Sequence, residues 1–79
     1  MMNWKEEHGY LTKTYELNGF KEITEALTKI ADKADEMQHH PDVEIFEYKK
    51  VKFKLMTHDQ GKITEKDHQM AQKIDHILK

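Results

Sequence analysis

A chain of 79 residues without cysteine has room for one small domain and no disulfide to brace it; a domain of that size buries only about 60% of its surface, so a homo-oligomer is expected as a further source of stability. Thirteen basic against 15 acidic residues leave a formal net charge of -2, which offers no field to a polyanion and argues against direct nucleic-acid binding. The opening Met1-Met2-Asn3-Trp4-Lys5-Glu6-Glu7 lacks the apolar core of a signal peptide, and no apolar run approaches the roughly 20 residues that span a bilayer, so the chain reads as soluble and cytoplasmic, a setting that the lack of cysteine permits.

No repeat, low-complexity tract or interior linker divides the chain, so one domain over residues 1–79 is expected. Between Trp4 and Leu17, aromatics at Trp4, Tyr10 and Tyr15 with a break near His8-Gly9 predict two short strands or an edge hairpin, closed by Asn18-Gly19. From Phe20, apolar residues recur at Ile23, Leu27, Ile30, Ala34 and Met37 in steps of three and four, the face of an amphipathic helix. Pro41 disfavours helical geometry at His40, so the helix must stop by His39, and the two histidines stand where a helix ends and a strand begins.

Val43 and Ile45 alternate with Asp42, Glu44 and Phe46, and Val51, Phe53 and Leu55 alternate with Lys50, Lys52, Lys54 and Met56, so both runs predict half-buried strands. A hairpin turning on Lys49 sets Val43 opposite Leu55, Ile45 opposite Phe53, Glu44 opposite Lys54 and His40 opposite His58, about 5 Å apart between backbones. After Asp59-Gln60-Gly61, Thr64 predicts a helix N-cap, with Asp67 as the acidic member of a capping box. Met70, Ala71, Ile74, Ile77 and Leu78 then give a second amphipathic face. The expected fold is α+β, a two-layer sandwich of about four antiparallel strands with two helices on one face, in β-β-α-β-β-α order.

The chemistry gathers at His39, His40 and His58. Three imidazoles at two segment ends, in a chain with neither cysteine nor a Gly-rich loop, point to proton transfer, because imidazole alone titrates near neutral pH without perturbation. The run Asp35-x-x-x-His39-His40-Pro41, the aromatic Tyr48, the sequence Thr57-His58-Asp59 and the acid Asp67 together resemble the pterin-4a-carbinolamine dehydratases, also called 4a-hydroxytetrahydrobiopterin dehydratases. The likeness extends from Trp4 through the Phe20-to-Met37 stretch and the Tyr48-Lys49-Lys50-Val51 turn to Ile63-Thr64-x-x-Asp67.

That resemblance implies a hydro-lyase that expels the 4a-hydroxyl of a 4a-hydroxytetrahydropterin to give a quinonoid dihydropterin, in tetrahydrobiopterin recycling, with no metal or organic cofactor. It implies His39, His40 and His58 as the catalytic imidazoles, with His40 as acid toward the hydroxyl and the other two holding the substrate and taking the N5 proton. It further implies Asp35 as an orienting acid, Gln38, Met56, Thr57 and Asp59 along the pterin edge, Trp4 against the ring, and a dimer or tetramer. Met56 stands where the family commonly has a small residue, and Asp35 is shorter than the glutamate often found there.

Other readings compete. The fold alone also serves as a partner-binding, dimer-stabilising module, although a scaffold has no need of three histidines. A related pterin, as in molybdenum-cofactor metabolism, is a further substrate class. Three histidines with Asp35 or Asp59 suffice in number to hold zinc, although the chain follows no recognised zinc spacing. Asp67 reads as a helix cap rather than a catalyst, and Trp4 reads almost equally as an aromatic anchor of the first strand. His8, His68 and His76 read as surface residues, the last two about 80° apart around their helix. Lys49, Lys50, Lys52 and Lys54 read as a solvated strand face, with attraction of an anionic substrate tail as the lesser reading.

Overall fold

The computed structural model describes residues 4–78; Met1 to Asn3, part of the start read above for a signal peptide, and Lys79 lie outside the described residues. Six elements follow one another: β1 (Lys5–Glu7), β2 (Tyr10–Glu16), α1 (Phe20–Met37), β3 (Asp42–Phe46), β4 (Lys50–Leu55) and α2 (Glu65–Leu78). The four strands form one antiparallel sheet in the order β1-β2-β4-β3. The early stretch resolves as a hairpin, with His8 and Gly9 both at positive φ (51° and 83°) between the paired residues Glu7 and Tyr10. Two consecutive positive-φ residues give the turn whose twist matches that of the flanking strands.

Alternation along the strands separates the two faces. Leu11, Val51, Phe53 and Leu55 are buried and meet Ile23, Ile30 and Ala34 of α1 and Met70, Ala71 and Ile74 of α2. Both helices therefore cover one face of the sheet, a two-layer α+β domain. The other face carries the buried Thr12 with Thr14, Lys50, Lys52 and Lys54, and neither helix covers it. Two of its lysines meet acids, Lys50 at 3.1 Å from Glu47 and Lys52 at 4.0 Å from Glu7, and in the adjoining loop Lys49 lies 3.3 Å from Glu16.

The β3-β4 register differs from the expected one. Val43 pairs with Phe53, Glu44 with Lys52 and Ile45 with Val51, so the hairpin turns on Tyr48 and not on Lys49. Glu47 and Tyr48 both adopt positive φ (52° and 53°), and the Lys49 amide donates to the Glu47 carbonyl at 2.6 Å. This tight loop has none of the Asn-Gly or Asp-Gly signals that reveal a turn centre. The slip is by two residues, so every side chain keeps its face; Val43, expected half-buried, is nevertheless 41% exposed, because β3 is an edge strand. His40 is now level with Met56, and the histidines do not face each other across the ladder. Other features must bring them together.

A candidate active site at the helix-strand junction

The first of these features is the end of α1. Gln38 sits in the left-handed conformation (φ 51°, ψ 44°), its amide donating to the Asp35 carbonyl at 3.2 Å while the His39 amide donates to the Ala34 carbonyl at 3.0 Å. These paired bonds form a Schellman motif, which satisfies the last carbonyls of the helix and reverses the chain. The reversal sends the two neighbouring histidines different ways. His39 turns inward and is 9% exposed, whereas His40, held extended by Pro41, stays at the surface.

The second feature is the turn after β4, where the Thr57 amide donates to the Lys62 carbonyl at 3.0 Å and the Gly61 amide to the Thr57 carbonyl at 2.9 Å. Gly61 accepts φ 67° in closing the turn, a conformation free of strain only for glycine. Thr57 is thereby buried and His58 and Asp59 are exposed.

Asp67 ties the two features together and is fully buried. Its Oδ2 accepts the Thr64 amide at 2.8 Å and the Thr57 hydroxyl at 2.9 Å, and its Oδ1 lies 2.5 Å from His39 Nε2. The Thr64 hydroxyl completes the network on Thr57 Oγ1 at 2.6 Å. The proton arrangement that satisfies every member has Asp67 ionised and Nε2 of His39 protonated, with Nδ1 as the remaining ring nitrogen. Asp67 stands in the first turn of α2, at the positive end of the helix dipole. Asp67 is thus the expected cap and also the anchor of His39. The signal for this second role lay in the sequence: Asp67, Met70, Ala71 and Ile74 form one stripe, so the carboxylate stands in line with the core.

His40 has a looser counterpart, its Nε2 lying 2.8 Å from Asp35 Oδ1, with both side chains well exposed. Among the described residues His58 makes no side-chain hydrogen bond; its ring meets the Tyr10 ring edge to face at 6.5 Å between centroids.

A cleft of about 380 Å³ is lined by Gln38, His39, His40, Met56, Thr57, His58, Asp59 and Lys66. That volume suits a small bicyclic ligand. Seven of these eight are residues singled out from the sequence, and the eighth, Lys66, was missed because one more lysine on a polar helix face carries no signal. Asp35 reaches the site through His40. Trp4 does not line the cleft: its indole Nε1 donates to Asp75 at 3.2 Å and its ring packs on the core. Tyr48, part of the sequence signature, is 64% exposed on the β3-β4 loop, at the other end of that hairpin from His40. Among the described residues no three histidines or acids converge as a metal-ligand set, and no helix is long and apolar enough to cross a membrane. His8, His68 and His76 are exposed.

Comparison with known proteins identifies the family and the fold. The family profile described as Pterin 4 alpha carbinolamine dehydratase matches residues 1–77. A Sulfurisphaera tokodaii protein named for pterin-4-alpha-carbinolamine dehydratase is 44% identical over 78 residues, covering 99% of this chain and 83% of its own. One from Herpetosiphon aurantiacus, named likewise, is 46% identical over 75 residues, covering 95% and 77%. Among solved structures, a transcriptional coactivator/pterin dehydratase from Brucella melitensis superposes with a TM-score of 0.90 at 26% identity, over 96% of this chain and 82% of that one. A pterin dehydratase-like protein identified as a RuBisCO assembly factor in the alpha-carboxysome shares the fold, with a TM-score of 0.80 at 19% identity over 98% and 90% of the two chains. The chain belongs to the pterin 4 alpha carbinolamine dehydratase family.

Proposed function

We propose that the protein dehydrates a 4a-hydroxytetrahydropterin to a quinonoid dihydropterin and water, as part of tetrahydrobiopterin recycling. The observation that carries this reading is the convergence of His39, His40 and His58 on one cleft, two of them with carboxylate partners. The reaction breaks the C4a-O bond, releases the N5 proton and makes the C4a=N5 bond, so it needs an acid for the departing hydroxide and a base for N5. No electron leaves the substrate, and histidine acid-base chemistry is sufficient.

His40 is the acid in this reading. Its exposure lets it regain a proton from solvent after each turnover, and Asp35 lies 2.8 Å from its Nε2. His39, locked by Asp67, and His58 hold the pterin and take the N5 proton. Gln38, Met56, Thr57 and Asp59 line the ring edge, and Lys66 places a cation at the cleft wall. The protein acts as a homo-oligomer, for which sedimentation velocity should show a single species heavier than the 9.5 kDa chain.

The test is the rate of quinonoid dihydropterin formation from a 4a-hydroxytetrahydropterin generated in situ, against the spontaneous rate, from about pH 6 to 9. Wild type should accelerate the reaction, and His40→Ala should lose about 10²- to 10⁴-fold, the usual share of one general acid. If well-folded wild-type protein gives no acceleration, this substrate is wrong. The likeness in fold to an assembly factor would then move the weight to partner binding, or to a dehydratase acting on another pterin.

A further inference from the structure

Of the three imidazoles at the cleft, two have carboxylate partners: His39 is held by the buried Asp67 at 2.5 Å, and His40 meets Asp35 at the surface at 2.8 Å. His58 has no such partner among the described residues, yet it projects from a turn and is exposed. A free imidazole there samples several rotamers, and a reactive group that wanders loses the advantage of a held geometry. The group against its ring is Tyr10, with centroids 6.5 Å apart and planes at 69°, within the range of an attractive edge-to-face pair.

Tyr10 is well placed for this task. It is the first residue of β2, directly after the tight His8-Gly9 turn, and is paired with Glu7. The β2-β4 ladder pairs Leu11 with Leu55 and Thr12 with Lys54, so Tyr10 lies on the open sheet face at the level of Met56, where the strand leads into His58. Lys54 Nζ lies 4.5 Å from the Tyr10 ring centroid, a cation-π contact that holds the ring on its other neighbour. The Tyr10 side chain is half-buried, and its contacts with His58 and Lys54 are both made by the aromatic ring.

We propose that Tyr10, backed by Lys54, is the positioning residue for His58, replacing with an aromatic contact the carboxylate that each of the other two histidines has. The proposal rests on the functional reading of the cleft given above. It assigns Tyr10 no contact with substrate, and its effect is on the orientation of the imidazole.

The experiment compares wild type with Tyr10→Phe, Tyr10→Leu and Tyr10→Val, reading the His58 ring-proton resonances, assigned with His58→Gln, together with kcat/KM for the 4a-hydroxytetrahydropterin. The ring-current displacement of the His58 signals should persist in Tyr10→Phe and vanish in the two aliphatic variants. In those variants kcat/KM should fall about threefold to tenfold, corresponding to the energy of one aromatic pair, with Tyr10→Phe close to wild type. Amide spectra identify any variant that fails to fold, and having two aliphatic variants keeps the comparison available. Unchanged His58 resonances in a folded aliphatic variant would overturn the proposal, and so would displaced resonances with undiminished kcat/KM. Absence of dehydration by wild type would instead overturn the functional reading; an unchanged His58 spectrum would still refute Tyr10 as its anchor.

Discussion

Asp67 illustrates how much one side chain carries. A carboxylate with no exposure is tolerated because the Thr64 amide, the Thr57 hydroxyl and the His39 ring all bond to it. Asp67→Ala removes the common acceptor of three donors, two of them in buried bonds, and should lower unfolding stability by about 3 kcal/mol in urea titration. Asp67→Asn makes a finer distinction. Its amide oxygen can still accept from Thr64 and Thr57, but its NH2 group then faces His39 Nε2 and drives the ring proton to Nδ1. That variant should stay folded while the dehydration rate falls at least tenfold; a rate equal to wild type would show that the tautomer of His39 does not matter.

The Schellman end of α1 is the element that presents the histidine pair, and it uses a non-glycine residue in a left-handed conformation. Only glycine adopts that geometry without a Cβ clash, at a saving of about 1 kcal/mol, partly offset by the greater freedom of glycine in the unfolded chain. Gln38→Gly should therefore stabilise the fold by about 0.5 kcal/mol, and Gln38→Val, β-branched, should destabilise it by about 1 kcal/mol, both readable as shifts in denaturation midpoint. The β3-β4 loop offers a parallel case. Glu47 and Tyr48 both hold positive φ, so replacing the pair with Asn-Gly should raise stability by about 1 kcal/mol without moving the register. A cleft emptied of activity by that distant change would contradict the separation of loop and site.

Across the whole molecule, Asp75 of α2 joins the helix layer to the first hairpin, accepting from Trp4, Tyr15 and Lys13, the last at 2.8 Å. Burial pushes the Asp75 carboxyl up, but the hydrogen bonds from Lys13, Tyr15 and Trp4 and the Lys13 charge outweigh it and hold the carboxyl below its ordinary 3.8. A depressed carboxyl contributes stability that is present above its unfolded value and lost as pH falls through the folded one. Thermal stability should accordingly decline as the pH drops below 3.8, and Asp75→Asn should flatten that acid limb. Tyr15 behaves oppositely. Burial, then the hydrogen bond to and charge of Asp75, raise its phenol above the ordinary 10.0, so its contribution is complete below pH 10.0 and erodes as the pH climbs beyond it. Tyr15→Phe should remove that alkaline loss.

Local periodicity sufficed for the architecture. Steps of three and four marked both helices, alternation marked β3 and β4, and Pro41 marked the junction that bears the histidines, because each is a property of neighbouring residues. The resemblance in short motifs pointed in the same way to His39, His40 and His58. The pairings had to come from the folded chain. The hairpin centre at Tyr48 depended on two backbone conformations that no glycine announced, so the register was set by the loop. Trp4 went to Asp75 and not to the cleft, and Tyr10 went to His58, because a partner 71 or 48 residues away is chosen by packing of the layers and leaves no local trace. Asp67 stood between these cases: its place in the apolar stripe of α2 was written in the sequence, but its partner, His39, was 28 residues away and was supplied only when the two layers closed over it.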